Sequence, residues 1–194
     1  MLKEKLKNYQ LILASGSPRR QQFLHDLGLD FEIRLKDTDE VYPENLQAHE
    51  ITDYLAVLKA NAFENELIDN EILITSDTIV WHQNQALGKP KNEQEAISIL
   101  QSLSNSTHEV ITSVCFKTNV KTSVLHEYSK VKFHHLSDEA IRYYVENYKP
   151  YDKAGSYGIQ EWIGFIGVAK IEGSYTNIMG LPTAKVFDYL NQLP

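Results

Sequence analysis

Residues 11–20 read LILASGSPRR, an apolar run that gives way to small residues, a proline and two adjacent arginines. Leu11-Ile12-Leu13 has the make-up of a short buried strand, and Ser17-Pro18 that of a helix start, with serine as N-cap and proline at the first helical position. Phe23, Leu24 and Leu27 then share one helical face, and Gly28 stands where a C-cap glycine belongs. A strand that passes through a small-residue loop into a helix leaves unpaired backbone N–H groups, and the positive end of the helix dipole, facing that loop. That is the layout of an anion site. Ser15, Ser17, Arg19 and Arg20 add side-chain donors, and arginine suits phosphate because its planar fork donates in pairs and stays charged. The plain alternative is a pair of solvated arginines. Against it, each cation in the first turn opposes the helix dipole by about 0.3–1 kcal/mol, which an anion held between the two would offset.

Outward from this unit, strand and helix patterns alternate without a repeat, a linker or a low-complexity tract. Phe31, Ile33 and Leu35 alternate as a strand; Ile51, Tyr54, Leu55, Leu58 and Ala62 carry helical spacing. Glu71 to Ser76 reads as a buried strand that delivers Asp77-Thr78 at its end, and Ile79-Val80-Trp81 continues the extended pattern. Ala96, Ile97, Leu100 and Leu103 form an amphipathic helix. Val110–Phe116 and Val124–Phe133 are two long extended runs that can pair as a hairpin, with residues 119–122 as the turn. Ser137 caps a helix bearing Ile141, Tyr144 and Val145, a strand is expected through Phe165 to Ile171, and a last helix runs from Pro182 to Leu190. This order predicts an α/β or α+β fold on a mixed sheet with flanking helices.

The chain has 194 residues, 42% hydrophobic and 23% charged, enough for a sizeable core and consistent with a single domain over 1–194. Its net charge of −7 argues against a nucleic-acid polymer or an anionic membrane surface as partner, while a local basic pocket can still take a small anion. No signal core or membrane-length span is apparent, and the single cysteine, Cys115, fits a reducing compartment and a core-filling role. A cytoplasmic location is therefore expected.

Several polar residues interrupt this pattern. Asp77 follows an apolar run, where a carboxylate is expensive unless it is paired, hydrogen-bonded or metal-bound. It reads as a general base or a metal ligand, with a turn-forming aspartate as the plain alternative. Lys89 and Lys153 lie in glycine-containing loops, and Asp37, Asp39 and Glu40 form an acidic patch that can supply a second carboxylate to a divalent ion; solvated surface is the alternative for each. The histidines His82, His108, His126, His134 and His135 lack zinc-site spacing and read as packing or surface residues.

Taken together and in order, ASGSPRR (14–20), SDTIV (76–80), GKP (88–90), DKAGSYGIQ (152–160) and GSYTNIMGLP (173–182) resemble the motifs of the Maf family of nucleoside triphosphate pyrophosphatases, over about Leu11 to Leu190. The resemblance implies an elongated mixed sheet with two lobes around a nucleotide cleft, similar to inosine triphosphatases, and cleavage of a nucleoside triphosphate between its α and β phosphates. Asp77 matches the catalytic carboxylate. Arg19, Thr78 and Gln160 match positions associated with nucleobase preference; Ser15, Arg20, Lys59 and Lys89 match phosphate-side positions, and Glu40 an acidic position near metal and triphosphate. The resemblance further implies a divalent cation, Mg²⁺ or Mn²⁺, at Asp77 and Glu40, and a homodimer. The trio Arg19, Thr78 and Gln160 resembles the branch that prefers dTTP and UTP over the branch acting on 7-methyl-GTP. Two departures stand out: Glu161-Trp162 where the family commonly has glycine, beside the expected base pocket, and Asn105-Ser106 in a turn.

The implied chemistry agrees with the residue types. Phosphoanhydride hydrolysis needs neutralised phosphate oxygens, an in-line water and a stabilised leaving group. Arg20, Lys59 and Lys89 can neutralise charge and Asp77 can take a proton from water. Gln160 offers a donor and an acceptor, matching the edge of a uracil or thymine ring. A nucleotide-binding regulator of cell division or septum formation is the alternative of a different class, and the presence of a candidate general base favours the enzyme.

Overall fold

A computed structural model describes residues 2–193. The opening apolar run lies in β1 (Gln10–Leu13), which pairs in parallel with β2 (Phe31–Ile33) on one side and β3 (Glu71–His82) on the other. The sheet has seven strands in the order β2-β1-β3-β5-β6-β7, where β5 is Thr107–Lys117, β6 is Thr122–Phe133 and β7 is Val168–Glu172. The remaining strand, β4 (Gln85–Leu87), pairs antiparallel with β3. Since β6 and β7 also run antiparallel, the sheet is mixed, as the order of elements predicts. The expected hairpin is present: β5 and β6 are neighbours, joined by a tight turn in which the Thr118 N–H donates to the Lys121 carbonyl at 2.8 Å.

The chain divides into two units. The first comprises the chain through Asp77, Thr112–Glu127 and the chain from Gly180 onward. It holds α1 (Leu2–Lys5), α2 (Pro18–Asp26), α3 (His49–Asn61) and the last helix, Thr183–Asn191. Its core explains why β1 is apolar from Leu11 to Leu13. Successive strand residues face opposite ways, so Ile12 packs with Ala56 and Ala60 of α3, while Leu11 and Leu13 pack with Leu24 of α2 and with Val186 and Leu190. Cys115 fills the α3 side, and its burial pushes the thiol up to about 11, so it is an inert core residue as expected. Gly28 takes the left-handed conformation (φ 72°) that ends α2.

The second unit comprises Thr78–Ile111 and Tyr128–Met179. Its core gathers Ala96, Ile97, Leu100 and Leu103 of α4 (Glu93–Leu103), Ile141, Tyr144 and Val145 of α5 (Asp138–Tyr148), and Ile163 of α6 (Trp162–Gly167). Ser137 caps α5, its hydroxyl accepting from the Ala140 N–H at 3.2 Å. A one-turn α7 (Tyr175–Ile178) precedes the return to the first unit, and the last helix is α8.

Three sequence expectations are corrected. Asp77 does not end a strand: it stands midway along the twelve-residue β3. Phe165 to Gly167 belong to α6, and only Val168 onward is strand. The run WIGFIG buries Ile163, Gly164 and Gly167 at helical spacing and leaves Phe165 at 76% exposure, whereas periodicity alone does not separate so short an apolar run from a strand. Gly164 makes this turn possible, since a Cβ there would stand 1.9 Å from the Ile159 carbonyl oxygen. Finally, Leu35 lies outside β2, an edge strand whose Ile33 is exposed.

Candidate active site

Within the first unit, β3 carries Asp77 into the interior at 6% exposure. Lys59, in the last turn of α3, donates from Nζ to Asp77 Oδ1 at 2.6 Å and also pairs with Glu40 at 3.0 Å. One ammonium thus sits between two carboxylates. The pairing meets the condition on which a buried carboxylate is tolerated, and it leaves the three groups with one net negative charge.

The β1-to-α2 loop lies alongside through Arg20. Its Nε donates to the Gly180 carbonyl at 2.8 Å; its Nη1 donates to the Ser76 carbonyl at 3.0 Å and to Ser15 Oγ at 3.3 Å. The residue preceding Asp77 is therefore tied to the loop by arginine. Burial lowers the Arg20 guanidinium from its ordinary value, and the Asp77 charge works the other way. Ser15 is buried, and its hydroxyl accepts the Ser17 N–H at 3.3 Å. Ser17 has the extended backbone of an N-cap (φ −70°, ψ 116°), but its side chain makes no capping bond. Arg19 is half-buried in the first turn of α2.

Within the second unit, Thr78 follows Asp77 on β3 and is half-buried. Lys89 is exposed in the turn after β4. The Gly155 N–H donates to the Gly88 carbonyl at 3.1 Å, which joins the GKP turn to the 152–160 loop, and Gly155 itself needs φ 69°. Gln160 is half-buried at the end of that loop, just before α6. The direct contacts Ser15–Arg20, Lys59–Asp77 and Lys59–Glu40 thus belong to the first unit.

Glu161, one of the departures from the family pattern, has a structural explanation. Its carboxylate accepts from the Tyr144 hydroxyl and pairs with Lys153 at 3.1 Å, and the Gly158 N–H donates to the Tyr144 oxygen at 3.0 Å. Burial, and then the hydrogen bond to Glu161, push the Tyr144 phenol well above its ordinary value, so it stays a donor. The glutamate therefore braces the loop that ends in Gln160. Trp162 packs on Tyr143, with ring centroids 4.8 Å apart. Asn105 adopts φ 53°, a left-handed conformation that asparagine tolerates in a turn.

Asp77 and Glu40 fit a hard divalent ion: oxygen donors converging on one positive charge, two in number, as Mg²⁺ uses when phosphates and water complete its shell. A second group escaped the sequence reading. His126 of β6 meets His49 and Asp53 of α3, and the three form a cluster able to hold a metal ion. The helical pattern read from the sequence begins at Ile51 and leaves His49 outside it, whereas α3 starts at His49 and sets it one turn from Asp53; the third member comes from distant sequence through the sheet.

Fold and residues together define a mixed α/β protein in which a strand-loop-helix unit is tied through Arg20 to the strand that bears a buried, lysine-paired carboxylate. The description Maf-like protein matches residues 10–193, and the chain belongs to the Maf family. It is 71% identical over 193 residues, 100% of each chain to the nearest per cent, to a protein of Flavobacterium johnsoniae named dTTP/UTP pyrophosphatase. A protein of the same name from Flavobacterium psychrophilum is 63% identical over 98% of this chain and 97% of its own. One from Christiangramia forsetii is 54% identical over 100% and 98%, respectively.

Proposed function

We propose that this protein is a nucleoside triphosphate pyrophosphatase that hydrolyses dTTP and UTP to the monophosphate and pyrophosphate. The full-length likeness to relatives of that name supports the substrate class. The observation that carries the chemistry is the buried Asp77 carboxylate, held by Lys59 beside Glu40 and backed by Arg20.

In this reading Asp77 accepts a proton from the attacking water as its oxygen bonds to the α-phosphorus. The bond from that phosphorus to the bridging oxygen breaks, and pyrophosphate leaves with the electron pair. Lys59 holds Asp77 in place and offers its charge to the phosphate oxygens. Arg20 spends much of its fork on the backbone at Ser76 and Gly180, so it fixes the strand that bears Asp77 as well as adding positive charge. Ser15, with the N-terminus of α2, donates to phosphate, and Lys89 neutralises phosphate charge. Arg19, Thr78 and Gln160 select the base, Gln160 by a paired donor and acceptor on the pyrimidine edge. Asp77 and Glu40 would hold a divalent cation such as Mg²⁺ or Mn²⁺, which when bound would neutralise charge on the triphosphate.

Among the described residues no helix is long and apolar enough to cross a membrane. The lone buried cysteine supports a cytoplasmic setting. The test is product analysis with Mg²⁺ and a panel of dTTP, UTP, CTP, GTP and 7-methyl-GTP. Monophosphate and pyrophosphate from dTTP and UTP ahead of the others are expected. Binding without cleavage of any nucleotide would favour a regulator, and preference for 7-methyl-GTP would move the protein to the other branch.

A further inference from the structure

We propose that His49, Asp53 and His126 form a second metal site, for a borderline divalent ion of the Zn²⁺ class, separate from Asp77 and Glu40. One ligand atom from each of the three lies within 4.8 Å of the others. His126 Nδ1 stands 3.2 Å from Asp53 Oδ2, and the His49 and His126 rings lie with centroids 4.3 Å apart. Ligands about 2.0–2.1 Å from a tetrahedral ion are separated from one another by roughly 3.4 Å, so the set stands within about 1.4 Å of that spacing.

The origin of each ligand explains the geometry. His49 and Asp53 are one helical turn apart on α3 and share a face. β6 brings His126 to that face. Two imidazoles and a carboxylate are three ligands with room for water in a fourth position, a donor set that suits Zn²⁺ better than Mg²⁺, which prefers oxygen alone. All three residues are half-buried, so an ion can enter from solvent.

The surroundings orient the carboxylate. Ser113 Oγ donates to Asp53 Oδ1 at 2.6 Å, which leaves Oδ2 for the ion. Thr52 Oγ1 lies 2.6 Å from Ser113 Oγ and 3.1 Å from the His49 carbonyl oxygen, so its one hydrogen is shared between these two acceptors and links the outer shell to a second ligand residue. Thr52 and Ser113 are both fully buried, and such a packed outer shell is what holds a metal ligand in one orientation. The nearby cation, Lys185, donates to the His126 carbonyl at 2.7 Å, and its charge is answered by Glu127 at 3.2 Å. An ion at this site would tie the start of α3 to β6, on the same helix that presents Lys59.

The test is Zn²⁺ binding by the whole chain, measured by competition with a chromophoric chelator, with the visible spectrum of the Co²⁺ form and the Tm with and without Zn²⁺. One Zn²⁺ per chain, tetrahedral Co²⁺ bands and a Zn²⁺-dependent rise in Tm are expected. His49→Ala, His126→Ala and Asp53→Asn should each weaken binding by more than roughly 100-fold, and Ser113→Ala by roughly 10–100-fold. Asp53→Asn keeps the side-chain shape, so it reads the site even if a histidine variant folds poorly. Asp77→Asn and Glu40→Gln should leave binding unchanged. Absence of binding by the wild type, binding retained in all three ligand variants, or binding lost only in Asp77→Asn would overturn the proposal.

Discussion

Replacing Lys59 by methionine removes the ammonium from between Asp77 and Glu40 while keeping most of the apolar stem. In the wild type the Asp77 side chain is 9% exposed and Lys59 16%, with Nζ 2.6 Å from the Asp77 oxygen. Breaking a buried pair by removing one partner costs about 3–5 kcal/mol, because the other charge is left without an answer. Glu40 is 43% exposed and solvates instead, so its share stays on the surface-pair scale of about 0–1 kcal/mol. The edge of Lys59 that reaches water puts the expected loss at the lower end, about 3 kcal/mol. In a chain of this size that is a fall of about 6–12 °C in Tm.

Urea unfolding and calorimetry measure the loss, and a second substitution isolates its cause. If a stranded carboxylate is what costs, adding Asp77→Asn to Lys59→Met should restore about half of the lost stability or more, since the amide removes the charge at nearly constant volume. Two results refute the reasoning: Lys59→Met within about 0.5 kcal/mol of wild type, the range of an ordinary surface substitution, or a double variant less stable than Lys59→Met alone.

Tyr144→Phe removes the hydroxyl that joins Glu161 to the Gly158 N–H and should cost about 1–3 kcal/mol in chemical denaturation, the range for stranding a buried polar group; an unchanged midpoint would count against the brace. Burial, aided by His82, lowers His108 from 6.5 to about 3, so the unfolded chain takes up its proton first as pH falls. Stability from this residue is therefore complete above pH 6.5 and is lost toward pH 3, by about 1.4 kcal/mol per pH unit. His108→Gln should flatten the slope of unfolding free energy by that amount between about pH 5.5 and 4, where the unfolded imidazole is charged and the folded one is not, and an unchanged slope there would contradict it. Gln160→Ala should lower kcat/KM for dTTP and UTP toward that for CTP while inhibition by pyrophosphate is unchanged; equal loss on every nucleotide would assign Gln160 a structural part.

The elements with strong local signals were legible in the sequence. LILASGSPRR gave strand, loop, cap and helix because each step has its own chemistry, and the apolar faces of α4 and α5 are buried residue for residue as their spacing predicts. WIGFIG misled because six residues rich in apolar side chains satisfy both periods, and the deciding contact, Gly164 against the Ile159 carbonyl, is tertiary. Asp77 was legible as an anomaly, but its partner was not legible from spacing. Lys59 lies one helix away, and only the packing of α3 on β1 and β3 makes them neighbours. The same holds for His126, whose partners on α3 are far away in sequence. Glu161 read as a disturbance beside the base pocket because its two holders, Tyr144 and Lys153, come from separate segments.

The most direct test of the account is a single turnover of dTTP in heavy-oxygen water with Mg²⁺, wild type beside Asp77→Asn, with products weighed by mass spectrometry. The account predicts label in the monophosphate and none in the pyrophosphate, with turnover in Asp77→Asn lower by about 10²–10⁴-fold and nucleotide affinity kept. Label in pyrophosphate would contradict attack at the α-phosphorus, and wild-type turnover by Asp77→Asn would remove the carboxylate from the chemistry.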